Sequence, residues 1–266
     1  MLCTPLFKRE IKANYKLWII FAAVLTMYGL MIISMFDPKL GESLQQMAQS
    51  MPQVFAAFGM LDAGSTLIEF TANYLYGFLM VVMPLVMTII LANRLVAHYV
   101  DTGSMAYLLA APVTRRKIIF TQIITLCLAE LALTLYMTLL CTAAAEGMFK
   151  GELDIKAFLL LNVGCFGLQI FLAGVCFICS CIFNDAKYSV GVSSGLCIAF
   201  VLVQMVSQVG DKFDFLKYAT PLTLFDTDGI IANEAAAYVK MAILFLCGIA
   251  LMLVGMGAFE KRDIPV

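Results

Sequence analysis

Charge and histidine are the scarce ingredients of this sequence. Only 13% of its 266 residues are Asp, Glu, Lys or Arg, and His98 is the one histidine. A single imidazole rules out an HExxH zinc pair, and no Ser-His-Asp order stands out around it. No two acids stand at a spacing that suggests paired catalytic carboxylates. There is no GxxxxGK[ST] loop, so the chain has no P-loop with which to cradle ATP phosphates. The nine cysteines do not supply a metal site either. In "CFICSC", Cys176 and Cys179 share a helical face, Cys181 lies off it, and no histidine is near, so all three read as small buried residues. "DTDG" at Asp226 to Gly229 lacks the third acid and the spacing of a calcium loop and reads as an external turn. A net charge of −1 gives no basic field for nucleic acid. The sequence therefore assigns no catalytic residue, metal or cofactor to this chain.

What it has in excess is apolar side chain, 62% of the total, against about 45–50% in a soluble domain. Six continuous runs reach the roughly 20 residues that cross a bilayer as helix: 17–35, 67–92 with Pro84 inside, 118–142, 157–183, 190–206 and 241–259. Barrel strands would alternate apolar and polar; these runs do not. The expected class is an all-α membrane protein, one transmembrane domain over 1–266. The first run is longer than the core of a cleaved signal peptide and carries no clear cleavage site after it.

Lys and Arg in the loops set the orientation. Six spans place both termini, the second-to-third loop and the fourth-to-fifth loop on one side. That side holds Lys8, Arg9, Lys12, Lys16, Arg94, Arg115, Arg116, Lys117, Lys187, Lys261 and Arg262. Lys39, Lys150, Lys156, Lys212, Lys217 and Lys240 lie opposite. Both termini are expected in the cytoplasm, with the protein in the cell membrane. "PLFKREIKANYKLW" reads as an interfacial helix, with Leu6, Phe7 and Ile11 toward lipid and Lys8, Lys12 and Lys16 toward headgroups. The external segment 207–240 is too apolar for a free loop and too broken for a span. It suggests a short helix or re-entrant hairpin covered by protein.

Three features carry further information. Glu130 stands mid-span, where an acid costs about 2.5–3.5 kcal/mol. The twelve Leu, Ile and Phe residues of that span contribute about −0.3 to −0.6 kcal/mol each, so the helix still inserts. The acid needs a partner or a wet cavity, with Asn162 and Gln169 as candidates, in a transport pathway or in an internal hydrogen-bonded lock. "GVSSG", Gly191 to Gly195, is a small-xxx-small face suited to close helix packing. Finally, "YVDTGSMAYLLAAPVTRRKI", 99–117 and Ile118, differs from the runs on either side. Thr102 or Ser104 caps a short helix. Met105, Leu108 and Leu109 fall on one face of it, Pro112 ends it, and Thr114 caps the next span. The stripe faces either the membrane surface or a cytoplasmic partner.

On these residues the chain resembles the permease subunits of type-2 ATP-binding-cassette exporters. The most specific piece is "DTGSMAYLLAAPVTRRKIIFTQ", where the family shows an acid, a Gly-Ser/Thr pair, "LL" and "P-[VI]-[ST]-R"; Asp101 replaces the commoner glutamate. "ATPLTLFD" and "FEKRDI" add to it. The resemblance implies a non-catalytic subunit that pairs with a second permease, the same chain or another, commonly along spans one and five, which would engage Gly191 and Gly195. It implies separate cytoplasmic ATPase subunits carrying ATP and Mg. Segment 99–117 would be the coupling helix that docks them, through Asp101, Gly103, Met105, Leu108, Leu109, Pro112, Arg115 and Arg116. Cargo would be hydrophobic or amphipathic: peptide, drug or lipid. An ATP-independent carrier or channel is the alternative. An intramembrane enzyme fits less well, because Glu130 stands alone.

Overall fold

A computed structural model describes residues 2–36, 50–58, 66–209 and 211–262. Most of the 36–66 connection and the last residues of "FEKRDI" lie outside that set, as do the side chains of Leu109 and Lys212. Among the described residues the architecture is all helix, with six helices long and apolar enough to cross a bilayer. They are α1 (Thr4–Ser34), α2 (Leu67–Asp101), α3 (Arg115–Met148), α4 (Ile155–Ile182), α5 (Ala186–Ser207) and α6 (Ala235–Lys261).

The third, fourth and fifth helices begin two to four residues ahead of their apolar runs, where polar residues cap them. Thr114 accepts from the Lys117 amide to start α3, Asp154 from Lys156 and Ala157 to start α4, and Asp185 from Lys187 to start α5. The interfacial helix expected at the N-terminus is not a separate element. Nothing after Pro5 breaks the helix, so α1 runs unbroken for 31 residues. Leu6, expected toward lipid, is 5% exposed, because α1 lies zipped along α3. The Cys3 amide donates to Thr121 Oγ1 (3.0 Å), Trp18 Nε1 to the Ala129 carbonyl (3.3 Å), and Thr26 shares a hydrogen with Tyr136 (2.7 Å).

Two apolar cores are stacked along the bundle. One gathers Leu25, Tyr76, Met137 and Phe158 with their neighbours. The other gathers Leu95, Leu126, Phe177 and Phe259 at the end where the chain's cations collect. The closest pairing of helices is α4 with α6, and glycine makes it possible. A Cβ at Gly248 would lie 2.7 Å from the Ile170 carbonyl oxygen, and one at Gly174 would lie 2.7 Å from the Gly248 oxygen. No side chain fits there, so the backbones touch. Beyond α5, 3₁₀ turns at Asp211–Ala219 and Pro221–Leu224 bring the chain back along that helix. Thr220 Oγ1 donates to the Phe200 carbonyl (3.2 Å), seven residues or about 10 Å inside the end of α5.

Candidate functional site

The first candidate region is the end where cations gather, and several contacts hold it together. Short helix Ser104–Ala110 bridges α2 and α3 there. Gly103, in the left-handed region at φ 69°, precedes it, and no side chain caps it. This corrects the expected cap at Thr102 or Ser104. The Thr102 hydroxyl is already committed to the His98 carbonyl (2.8 Å) and Ser104 Oγ (3.0 Å), which finishes α2. Pro112 acts as expected: Ala111 turns extended and the helix ends at Ala110.

Met105 and Leu108 turn inward rather than out as a surface knob. Met105 is 1% exposed and belongs to the core, with Leu108 packed against it. Tyr107 is 84% exposed and holds the outward position. Asp101, Gly103, Pro112, Arg115 and Arg116 are all exposed at this end.

Arg262 ties the same end across the bundle. Its guanidinium donates to the Cys181 carbonyl (2.6 Å), one of the last carbonyls of α4, and to Asn184 Oδ1. Arg115 donates back to the Arg262 carbonyl (2.9 Å). Arg116 pairs with Glu260 at 3.5 Å. The start of α3, the end of α4 and the end of α6 are thus joined at this end of the bundle.

The second region is a polar seam inside the bundle, along one face of α2 at positions 76, 80, 84 and 88. Tyr76 donates to Asn162 Oδ1 (2.7 Å). Pro84 has no N–H, so the Met80 carbonyl loses its helical donor; Gln169 Nε2 on α4 supplies one at 2.8 Å. Thr88 donates to Glu130 Oε1 on α3 at 2.6 Å. The three long polar residues singled out in the sequence therefore share a region but not a partner. Glu130 pairs with Thr88 rather than with Asn162 or Gln169, each of which is engaged with α2. All are enclosed: Glu130 is 0% exposed, Gln169 1% and Asn162 4%. Two π turns, Ala72–Tyr76 and Asn93–Ala97, interrupt α2 on either side of the seam, as inserts of this kind often do where a helix carries function.

Gly191 and Gly195 lie exposed on α5, and a Cβ at either would meet nothing within 4 Å. Among the described residues no group of three or more His, Cys, Asp or Glu could hold a metal.

Sequence reasoning missed the buried pair Glu10–Tyr99 (2.6 Å) and the Thr88 and Arg262 bonds. The Pro84 bond carried a readable signal: a proline within a span frees the carbonyl four residues back, which calls for a donor from a neighbour. Compared with known proteins, the model of a family described as "ABC-2 family transporter protein" matches residues 6–264. No curated protein matches the chain.

Proposed function

The chain belongs to the ABC-2 family of transporter proteins, and from that premise we propose that it is the membrane-spanning permease subunit of an ATP-driven exporter. It dimerises with a second permease and receives cytoplasmic ATPase subunits that hold ATP and Mg. The observation that supports this best is the Ser104–Ala110 helix. It is fixed by Met105 beneath, by Gly103 and Pro112 at its ends, and by the Arg115–Arg262 bond beside it, while Tyr107 stands free. A rigid lever with an exposed aromatic tip suits a docking helix, because aromatic anchors dominate such contacts. On this reading Tyr107 and Pro112 contact the ATPase, and Met105 and Leu108 transmit its movement to α2 and α3. Leu109 and the exposed Asp101, Arg115 and Arg116 complete the docking face.

The orientation follows the cations, with both termini and the docking helix in the cytoplasm of a cell whose membrane the chain spans. Gly191 and Gly195 on the bare face of α5 offer the approach to the second permease. The segment 207–240 folds back between the outer helix ends as a re-entrant cover. The polar seam is an internal lock rather than a path, since Glu130, Asn162 and Gln169 are enclosed within one subunit. A hydrophobic or amphipathic cargo suits the apolar bundle.

The test is co-purification with the ATPase subunit. Tyr107→Glu is expected to lose the partner and its stimulated ATP turnover about a hundredfold, a hot-spot effect, with the chain's own melting temperature unchanged. Normal pairing and turnover in that variant would overturn the docking assignment.

A further inference from the structure

A cleft of about 570 Å³ opens at the cation-rich end, between the first turns of α1 and the last turns of α2. That volume is in the range of small-ligand sites. Its floor is built and buried. Glu10 is 2% exposed, accepts from Tyr99 Oη at 2.6 Å, and is approached by Asn14 Nδ2. Glu10 itself lines the cleft, with Oε1 taken by Tyr99 and Oε2 3.5 Å from Asn14 Nδ2. Above the floor stand Arg9 and Arg94, with His98 beside them. Arg9 lies over the Tyr99 ring, 5.5 Å from its centre, which holds the guanidinium at the rim. Among the described residues neither arginine has an acid within ion-pair distance. Asn93 also lines the cleft, and its Oδ1 is buried with no hydrogen-bond partner among the described residues.

We propose that this cleft binds a phosphate-bearing group through the guanidinium groups of Arg9 and Arg94. Two guanidinium groups lining one cleft, neither in an ion pair among the described residues, match phosphate oxygens in charge and in fork chemistry. Depth agrees with an ester of lipid origin. Arg94 stands two residues, about 3 Å, beyond the apolar run that ends at Ala92, which is the level of the headgroups. The cleft also includes Thr102 and Ser104, the entrance to the Ser104–Ala110 helix, so an occupant would brace that helix against α1. The proposal stands apart from the ATPase reading, since it requires no partner chain.

The experiment places the purified full chain in phosphatidylcholine nanodiscs and compares discs with and without phosphatidylglycerol, scoring retained lipid by native mass spectrometry. A parallel arm adds soluble glycerol 1-phosphate to the phosphatidylcholine discs. The paired variant Arg9→Gln/Arg94→Gln is set against Lys12→Gln/Lys16→Gln, which removes the same charge from exposed α1 positions that do not line the cleft. Phosphatidylglycerol retention is expected to fall at least about tenfold in the arginine variant and little in the lysine variant. Selective binding of glycerol phosphate without the lipid would also support the site and identify a soluble source. Equal losses in the two variants would reduce the effect to general surface charge and overturn the proposal, as would binding of neither ligand by the unaltered protein.

Discussion

Helices α4 and α5 follow each other with three residues between them, yet they live in different surroundings. Within the most apolar stretch of α4, 78% of residues are buried inside the bundle; within that of α5, 17% are. Composition does not separate them, since their mean hydropathies are 2.2 and 2.0. The difference lies in what their glycines and polar groups meet. On α4, Gly164, Gly167 and Gly174 each have a neighbour within 3 Å of where a Cβ would stand. Asn162 and Gln169 are committed to α2. On α5, Gly191 and Gly195 meet nothing. Small residues in a membrane helix therefore mark close approach only where a neighbour exists within the chain. On α5 they leave a face for lipid or another subunit.

The largest effect that would break this contrast is steric. Gly248→Val drives a side chain into the α4 backbone and is expected to cost about 3 kcal/mol or more, toward the upper end for overpacking. Gly195→Val, on the open face, should shift stability by no more than about 0.5 kcal/mol and, if α5 pairs with a second copy as proposed, weaken self-association. Thermal melting and size-exclusion profiles of the two variants in detergent check both halves. A stability loss at Gly195 equal to that at Gly248 would erase the distinction.

Removing a donor gives an intermediate effect. Gln169→Leu leaves the Met80 carbonyl with only the weak Cys165 thiol (3.7 Å) in an apolar interior and is expected to cost about 1–3 kcal/mol. Pro84→Ala in the same background restores an amide four residues on and should recover much of the loss, a coupling that a double-mutant cycle measures. Simple additivity of the two changes would show that the proline and the glutamine are unrelated.

The smallest effect is on the other face. Burial raises the Asp226 carboxyl, but Lys240 at 2.7 Å and the Gly229 amide outweigh it and hold the group below its ordinary value. A depressed carboxylate contributes above its unfolded value, about 3.9, and the contribution is lost as the pH falls through the folded value. The pair is partly exposed, so after solvent screening it is worth less than about 1 kcal/mol. Melting between pH 6 and pH 3 should therefore fall slightly more for the unaltered protein than for Asp226→Asn.

The six spans were legible because a continuous apolar run leaves helix as the only way to satisfy its backbone in lipid. Pro112 and the Thr114 cap were legible for a similar reason, since each acts within one turn. Partners were not. Glu130, Asn162 and Gln169 announced themselves as costly, but which groups relieve them depends on which helices touch, and one sequence does not order six similar cylinders. The Met105 stripe misled for a related reason. In a soluble chain an exposed helix turns its apolar stripe inward; beside a bilayer the same stripe has a protein side and a lipid side to choose from. Periodicity alone does not decide between them.

Arg262 gives the cation-rich end a consequence for biogenesis. Its bonds to Cys181 and Asn184, and the Arg115 bond to its carbonyl, join three helices that enter the membrane at different times. The end beside Ser104–Ala110 is therefore incomplete while α6 is still being inserted, however well α1 to α5 have packed. Without α6 the Cys181 carbonyl and Asn184 lack the Arg262 donor and Arg115 lacks its acceptor, so this end is complete only when the last helix is in place.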